Sequence, residues 1–157
     1  MLPLTVLDKY PKPDADRVDR ELNAALASLR RKIVVLDDDP TVHDVSVYTQ
    51  WDEDSLRAGF AESNSIFFIL TNSRGFTREE TIRIHTDIAS RLVKISAETG
   101  IDYLLISRSD STMRGHFPFE TETLRQTIEQ NSAKRFDGEI MCPFFQEGGR
   151  YTIDNVH

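Results

Sequence analysis

Residues 33–41 read Ile33-Val34-Val35-Leu36-Asp37-Asp38-Asp39-Pro40-Thr41, an unbroken apolar run that stops on three acids and a proline. Apolar residues without alternation predict a strand covered on both faces, and the acids with Pro40 mark where it ends. The same pattern recurs twice. Ile66-Phe67-Phe68-Ile69-Leu70-Thr71 runs into Asn72-Ser73-Arg74-Gly75, and Tyr103-Leu104-Leu105-Ile106 runs into Ser107-Arg108-Ser109-Asp110-Ser111-Thr112-Met113-Arg114-Gly115. Each buried strand is therefore followed by a polar cluster. In an open parallel sheet that edge is where ligands bind.

Helical patterns lie between the strands. From Asp14, Val18, Leu22, Ala25 and Leu29 recur at helical spacing, with arginines near the end where the macrodipole favours cations. Residues 54–62 fit a short helix. Thr77 with Glu80 forms a capping box that opens the longest helix, with Ile84, Ile88, Leu92 and Ile95 on one face and Gly100 closing it. Pro118 suits the first position of a further helix, with Leu124 and Ile128 inward. Val45–Thr49 alternates like a strand, and Glu139–Cys142 reads as a last short one, with Cys142 as a small core residue at its end. Residues 1–13 hold three prolines and read as an extended arm, which leaves 14–157 as one α/β domain. Alternating strands and helices predict right-handed βαβ units in a three-layer, mostly parallel, Rossmann-like sheet with helices on both faces.

Composition narrows the function. The 157 residues carry 19 Lys+Arg against 26 Asp+Glu, a formal charge of −7. With a pI near 5.1, nucleic acid is not an expected partner, because nonspecific binding runs on clustered positive charge. No apolar run approaches the roughly 20 residues that span a bilayer, so no membrane partner and a cytoplasmic location are expected. One cysteine makes neither an internal disulfide nor a thiolate zinc site, and no metal site is expected. Neither GxxxxGK[ST] nor GxGxxG occurs.

Each cluster has a chemical and a bland reading. Adjacent Asp37, Asp38 and Asp39 repel, so a cation, a donor-rich ligand or water must compensate them. They suit a hydroxylated substrate, magnesium or a base, or else a solvated turn. Thr71–Gly75 suits an anion or polyol, with Arg74 able to fork onto a carboxylate, or else a helix-entry loop. Ser107–Gly115 concentrates two guanidiniums, one carboxylate and many hydroxyls, which matches a polyhydroxy acid or a phosphate. Glu147-Gly148-Gly149-Arg150 allows close backbone approach and adds a guanidinium, or is a surface turn. His43 and His116 lie beside clusters. Phe144-Phe145 is read as core.

Together these segments resemble the four-carbon acid sugar kinase family. The likeness is carried by KIVVLDDDPT, VHDVSVYT, FFILTNSRG, LLISRSDSTMRGHFP and CPFFQEGGRYTIDNVH, over residues 31–157. The K/R-x-D-S-T-x-R-G pattern at Arg108–Gly115 is its most specific element. The resemblance implies ATP-dependent phosphorylation of the terminal hydroxyl of a tetronate or oxo-tetronate. It also implies two domains, an N-terminal one that holds the sugar acid and a C-terminal one that binds ATP with Mg2+. This chain would be most of the first, with its own C-terminal ATP-binding domain and a small-molecule sugar acid as partners and a homodimer left open.

Carried over by position, the resemblance implies Asp38, Asp39, Thr41, Arg74, Arg108, Asp110, Ser111, Arg114, Gly115, Gly149 and Arg150 as substrate-binding residues. The sugar-acid carboxylate goes to Arg108 or Arg114, with Arg74 as a second candidate, and the hydroxyls to Asp38, Asp39, Asp110 and Ser111. The carboxylate beside the attacking hydroxyl is Asp110, with Asp38 second. Two departures stand out. The family continues the acidic turn as Pro-Thr-Gly-x-Gln-Thr-Val-His, whereas Thr41 here meets Val42-His43 directly, through a shortened site or an omitted loop. The stop at His157 within a family segment predicts a fragment.

Two rivals belong to other classes. A haloacid-dehalogenase-like phosphatase would use Asp37 as nucleophile and Asp39 as acid/base with magnesium, and Phe67–Thr71 as its second motif. It lacks a fitting lysine, since Lys94 falls inside a helix, and a later strand ending in an acidic pair. The other rival is a sugar-acid-binding module without catalysis.

Overall fold

The computed structural model describes residues 4–9, 11–40, 44–108, 115–142, 149, 151 and 153. The chain divides into two units, Met1–Arg30 and Arg31–His157. In the first, Leu4–Lys9 is a 3-10 helix where an extended arm was expected. Helix α1 spans Ala15–Ser28, and the Asp14 side chain caps it by accepting from the Arg17 amide at 3.0 Å. Arg30 donates to the Ala27 carbonyl at the other end, as the macrodipole favours. No residue of α1 is buried.

The second unit holds β1 (Arg31–Asp37), β2 (Val47–Tyr48), α2 (Glu53–Ala61), β3 (Ile66–Leu70), α3 (Arg78–Thr99), β4 (Asp102–Arg108) and α4 (Phe119–Asn131). The strands form one parallel sheet in the order β2-β3-β1-β4, flanked by helices. The crossovers β2–α2–β3 and β3–α3–β4 step the same way across it. Right-handedness then places α2 and α3 on one face. The core agrees: Val34, Leu36, Phe67, Ile69 and Tyr103 of that face pack with Leu56 and Phe60 of α2 and with Ile84, Ile88, Leu92 and Ile95 of α3. Leu124 and Ile128 of α4 join the same cluster. The connection from β1 runs the opposite way, to β2, so the direction reverses between the neighbours β1 and β3. A crevice at the strand ends is expected at such a point.

Local signals fix the helix ends. The Thr77–Glu80 capping box is formed, and Gly100 takes a left-handed φ of 68° that favours glycine. Pro118 stands at the N-cap of α4, one position before its first residue.

Three expectations need correction. Tyr103–Ile106 is not covered on both faces: Leu104 is 46% and Ile106 40% exposed, because they lie on the face of the outermost strand β4 that points away from the core under α2, α3 and α4. Glu139–Cys142 forms no strand. Ile140 is 95% and Met141 54% exposed, since the three-residue apolar run Ile140-Met141-Cys142 is too short for a buried strand. Cys142 is accordingly exposed rather than in the core. Among the described residues no helix is long and apolar enough to cross a membrane.

Candidate functional site at the strand ends

The three acids after β1 part three ways. Asp37 is the last residue of β1 and lies in register with Arg108, the last of β4. Its buried carboxylate pairs with the Arg108 guanidinium through Oδ2 and accepts from the Asp39 amide through Oδ1 at 2.9 Å. Arg108 also donates to the Asp39 carbonyl at 3.3 Å, which ties the turn to β4.

Asp38 turns to the loop after β3, and its side chain is wholly buried. Oδ1 accepts from Thr71 Oγ1 at 2.9 Å, from the Ser73 amide at 2.5 Å and from Ser73 Oγ at 3.1 Å. Oδ2 accepts from Ser73 Oγ at 3.1 Å and from the Arg74 amide at 3.2 Å, with Arg74 Nε at 3.5 Å. Asn72 supplies the left-handed step (φ 51°) that lets this turn fold over the carboxylate. Asp39 is exposed. The repulsion expected of adjacent carboxylates is therefore relieved in three ways: Asp37 meets a guanidinium, Asp38 a donor cage, and Asp39 is exposed.

The arrangement brings together five residues the sequence reading singled out, Asp37, Asp38, Asp39, Arg74 and Arg108. Arg74 and Arg108 flank the acidic turn from neighbouring strand ends, an arrangement suited to a ligand carrying both hydroxyls and a negative charge. Gly115 and Gly149 are described, Gly149 at a left-handed φ of 69°. Thr41, Asp110, Ser111, Arg114 and Arg150 lie outside the described residues, as do His43, Phe144 and Phe145.

Thr71 and Ser73, ligand contacts by residue type, instead face inward and hold Asp38. The Asp37 carboxylate that the phosphatase reading needs for attack on phosphorus is enclosed by Arg108 and the Asp39 amide. Among the described residues no three His, Cys, Asp or Glu side chains assemble as a metal site. Asp37 and Asp38 are already engaged by Arg108 and by the Thr71–Arg74 loop, a donor set that does not fit a magnesium–triphosphate group.

A buried polar layer lies beneath the strand ends, and sequence reasoning missed it. Glu120, in the first turn of α4, is 2% exposed and accepts from Ser107 Oγ at 3.1 Å. His85 of α3 is 1% exposed, with Nδ1 2.8 Å from the Thr81 carbonyl. Burial pushes the His85 pKa down, while the Thr81 carbonyl and the charges of Glu120 and Asp38 oppose the shift and His116 adds to it. The signal that could have found Glu120 is its place four residues before Leu124 and eight before Ile128, on the inward face of the helix. A groove of about 280 Å³ lined by Thr49, Gln50, Trp51, Asp52 and Arg91 follows the end of β2.

Residues 33–157 match the family model described as the sugar-binding N-terminal domain. No curated protein and no solved structure matches the chain.

Proposed function

The chain belongs to the sugar-binding N-terminal domain family, the N-terminal domain of four-carbon acid sugar kinases, and we propose that it holds a tetronate or oxo-tetronate for phosphorylation at the terminal hydroxyl. The observation that carries this reading is the acidic turn flanked by Arg74 and Arg108 at the ends of β3 and β4. A guanidinium takes the sugar-acid carboxylate, with Arg114 as its partner in that role. The exposed Asp39, with Ser111, receives hydroxyls. Asp38, buried on the Thr71–Arg74 loop, fixes where Arg74 stands. Asp110 is the carboxylate proposed to accept the hydroxyl proton, and Thr41, Gly115, Gly149 and Arg150 complete the enclosure. ATP and Mg2+ belong, in this proposal, to a C-terminal domain, and the location is cytoplasmic.

Calorimetric titration with erythronate, threonate and their 2-oxo forms tests the reading, with the uncharged tetritol as control. The proposal expects a tetronate to bind and the tetritol not to. At a ligand concentration of about 100 Kd the tetronate should stabilise the fold by about 2.7 kcal/mol. Equal responses to tetronate and tetritol, or none to either, would overturn the sugar-acid assignment. ATP consumption in the presence of the bound tetronate, by the chain joined to its C-terminal domain, tests the kinase step.

A further inference from the structure

Glu120 stands where a carboxylate is costly. It is 2% exposed and shares the inward face of α4 with Leu124, Thr127 and Ile128. The helix N-terminus offsets part of the cost of its charge, yet an apolar side chain would fill the same place without any. One thing Glu120 does that an apolar residue cannot is accept the Ser107 hydroxyl at 3.1 Å. Ser107 is the penultimate residue of β4, and successive strand residues point to opposite faces. Holding Ser107 inward therefore sets Arg108 outward, where its guanidinium meets the Asp37 carboxylate and the Asp39 carbonyl.

We propose that Glu120 is a positioning residue for Arg108: by fixing Ser107 at the end of β4, it sets the guanidinium against the acidic turn. The effect on ligand rests on the sugar-acid reading given above; the relation between Glu120, Ser107 and Arg108 does not. His85 from α3 and His116 ahead of α4 are the other titratable groups whose charges interact in this layer, together with Asp38.

The test uses S107A, E120L and E120Q in the full chain, with two readouts. One is the 15N resonance of Arg108 Nε, which reports the ion pair without ligand. The other is tetronate affinity by calorimetry. S107A and E120L should shift the Arg108 signal toward that of a solvated guanidinium and weaken tetronate binding by about tenfold, a loss of one decade in Kd. E120Q keeps an acceptor oxygen for Ser107 and should restore both. An unmoved Arg108 signal in folded S107A overturns the positioning role, and S107A carries this test even where E120L fails to fold. A shifted Arg108 signal in a protein that binds no tetronate upholds the positioning role and overturns the sugar-acid reading.

Discussion

Asp37 and Arg108 close the β1–β4 ladder as its last registered pair, and their side chains meet in an ion pair of unequal surroundings. The Asp37 side chain is 2% exposed and that of Arg108 48%. Removing either partner therefore has a different cost. R108A strands a carboxylate in the interior and should cost about 2–3 kcal/mol, discounted from a fully buried pair because the guanidinium is half in water. D37N leaves an arginine that rehydrates, and should cost about 1 kcal/mol. Urea denaturation at neutral pH gives both values. An equal or reversed order would show that Asp37 is satisfied without Arg108.

The Asp38 cage makes a second asymmetry. S73A removes one hydroxyl that serves both carboxylate oxygens but leaves the Ser73 amide in place, so about 1 kcal/mol is expected. D38A removes at once the carboxylate that accepts from Thr71 Oγ1, the Ser73 amide and hydroxyl, and the Arg74 amide, while Thr71 Oγ1 keeps the Asp37 carbonyl at 3.3 Å. A loss of about 3 kcal/mol or more is expected there. Because this loop places Arg74, D38A should also weaken tetronate binding more than S73A does, as calorimetry on the folded variants would measure.

How much of this was legible in the sequence depends on how local each cause is. The apolar runs of β1 and β3, the Thr77–Glu80 box and the left-handed Gly100 are set by neighbours along the chain, and all stand where they were read. The exposure of Leu104 and Ile106 was not legible, because it follows from the place of β4 in the sheet order and from which face the helices cover. The acidic turn lay between these cases. Three adjacent carboxylates announce that something must compensate them, but that Arg108 serves Asp37 depends on a register 71 residues long in sequence separation. Glu120 was hidden by its position, since an acid in a helix's first turn reads as a surface residue favoured by the macrodipole.

His85 gives the buried layer a pH signature. Burial lowers its pKa below the ordinary 6.5. Between that lowered value and 6.5 the unfolded chain binds more protons than the folded one, so this group's contribution falls as pH falls. It is fully present above 6.5 and erodes below it, with a slope of at most about 1.4 kcal/mol per pH unit for one proton. H85Q removes the titration. The difference in unfolding free energy between wild type and H85Q, followed by urea denaturation from pH 8 to pH 5, should be flat above about 6.5 and turn against the wild type below it. A constant difference across the range would mean that His85 titrates alike in both states.

Gly59 tests the packing of α2 on the sheet. It is buried in the helix, and a Cβ there would lie 2.9 Å from Phe67 Cε2 and 3.0 Å from Cδ2 and Cζ of the same ring. Phe67 cannot retreat freely, because its ring is fully buried and meets Phe60 and Tyr48 edge to face at 5.9 and 5.7 Å. Alanine normally stabilises a helix interior relative to glycine by about 1 kcal/mol. Here the overpacking cost of about 1–3 kcal/mol opposes that gain and should exceed it, so G59A should be less stable than wild type. Gly75 is the control: a Cβ there meets nothing within 4 Å, and G75A should stay within about 0.5 kcal/mol of wild type. Restoring space with F67L in the G59A background should recover part of the loss. A G59A protein more stable than wild type would show that α2 shifts to accommodate the methyl group, and that the α2–β3 contact is softer than its geometry implies.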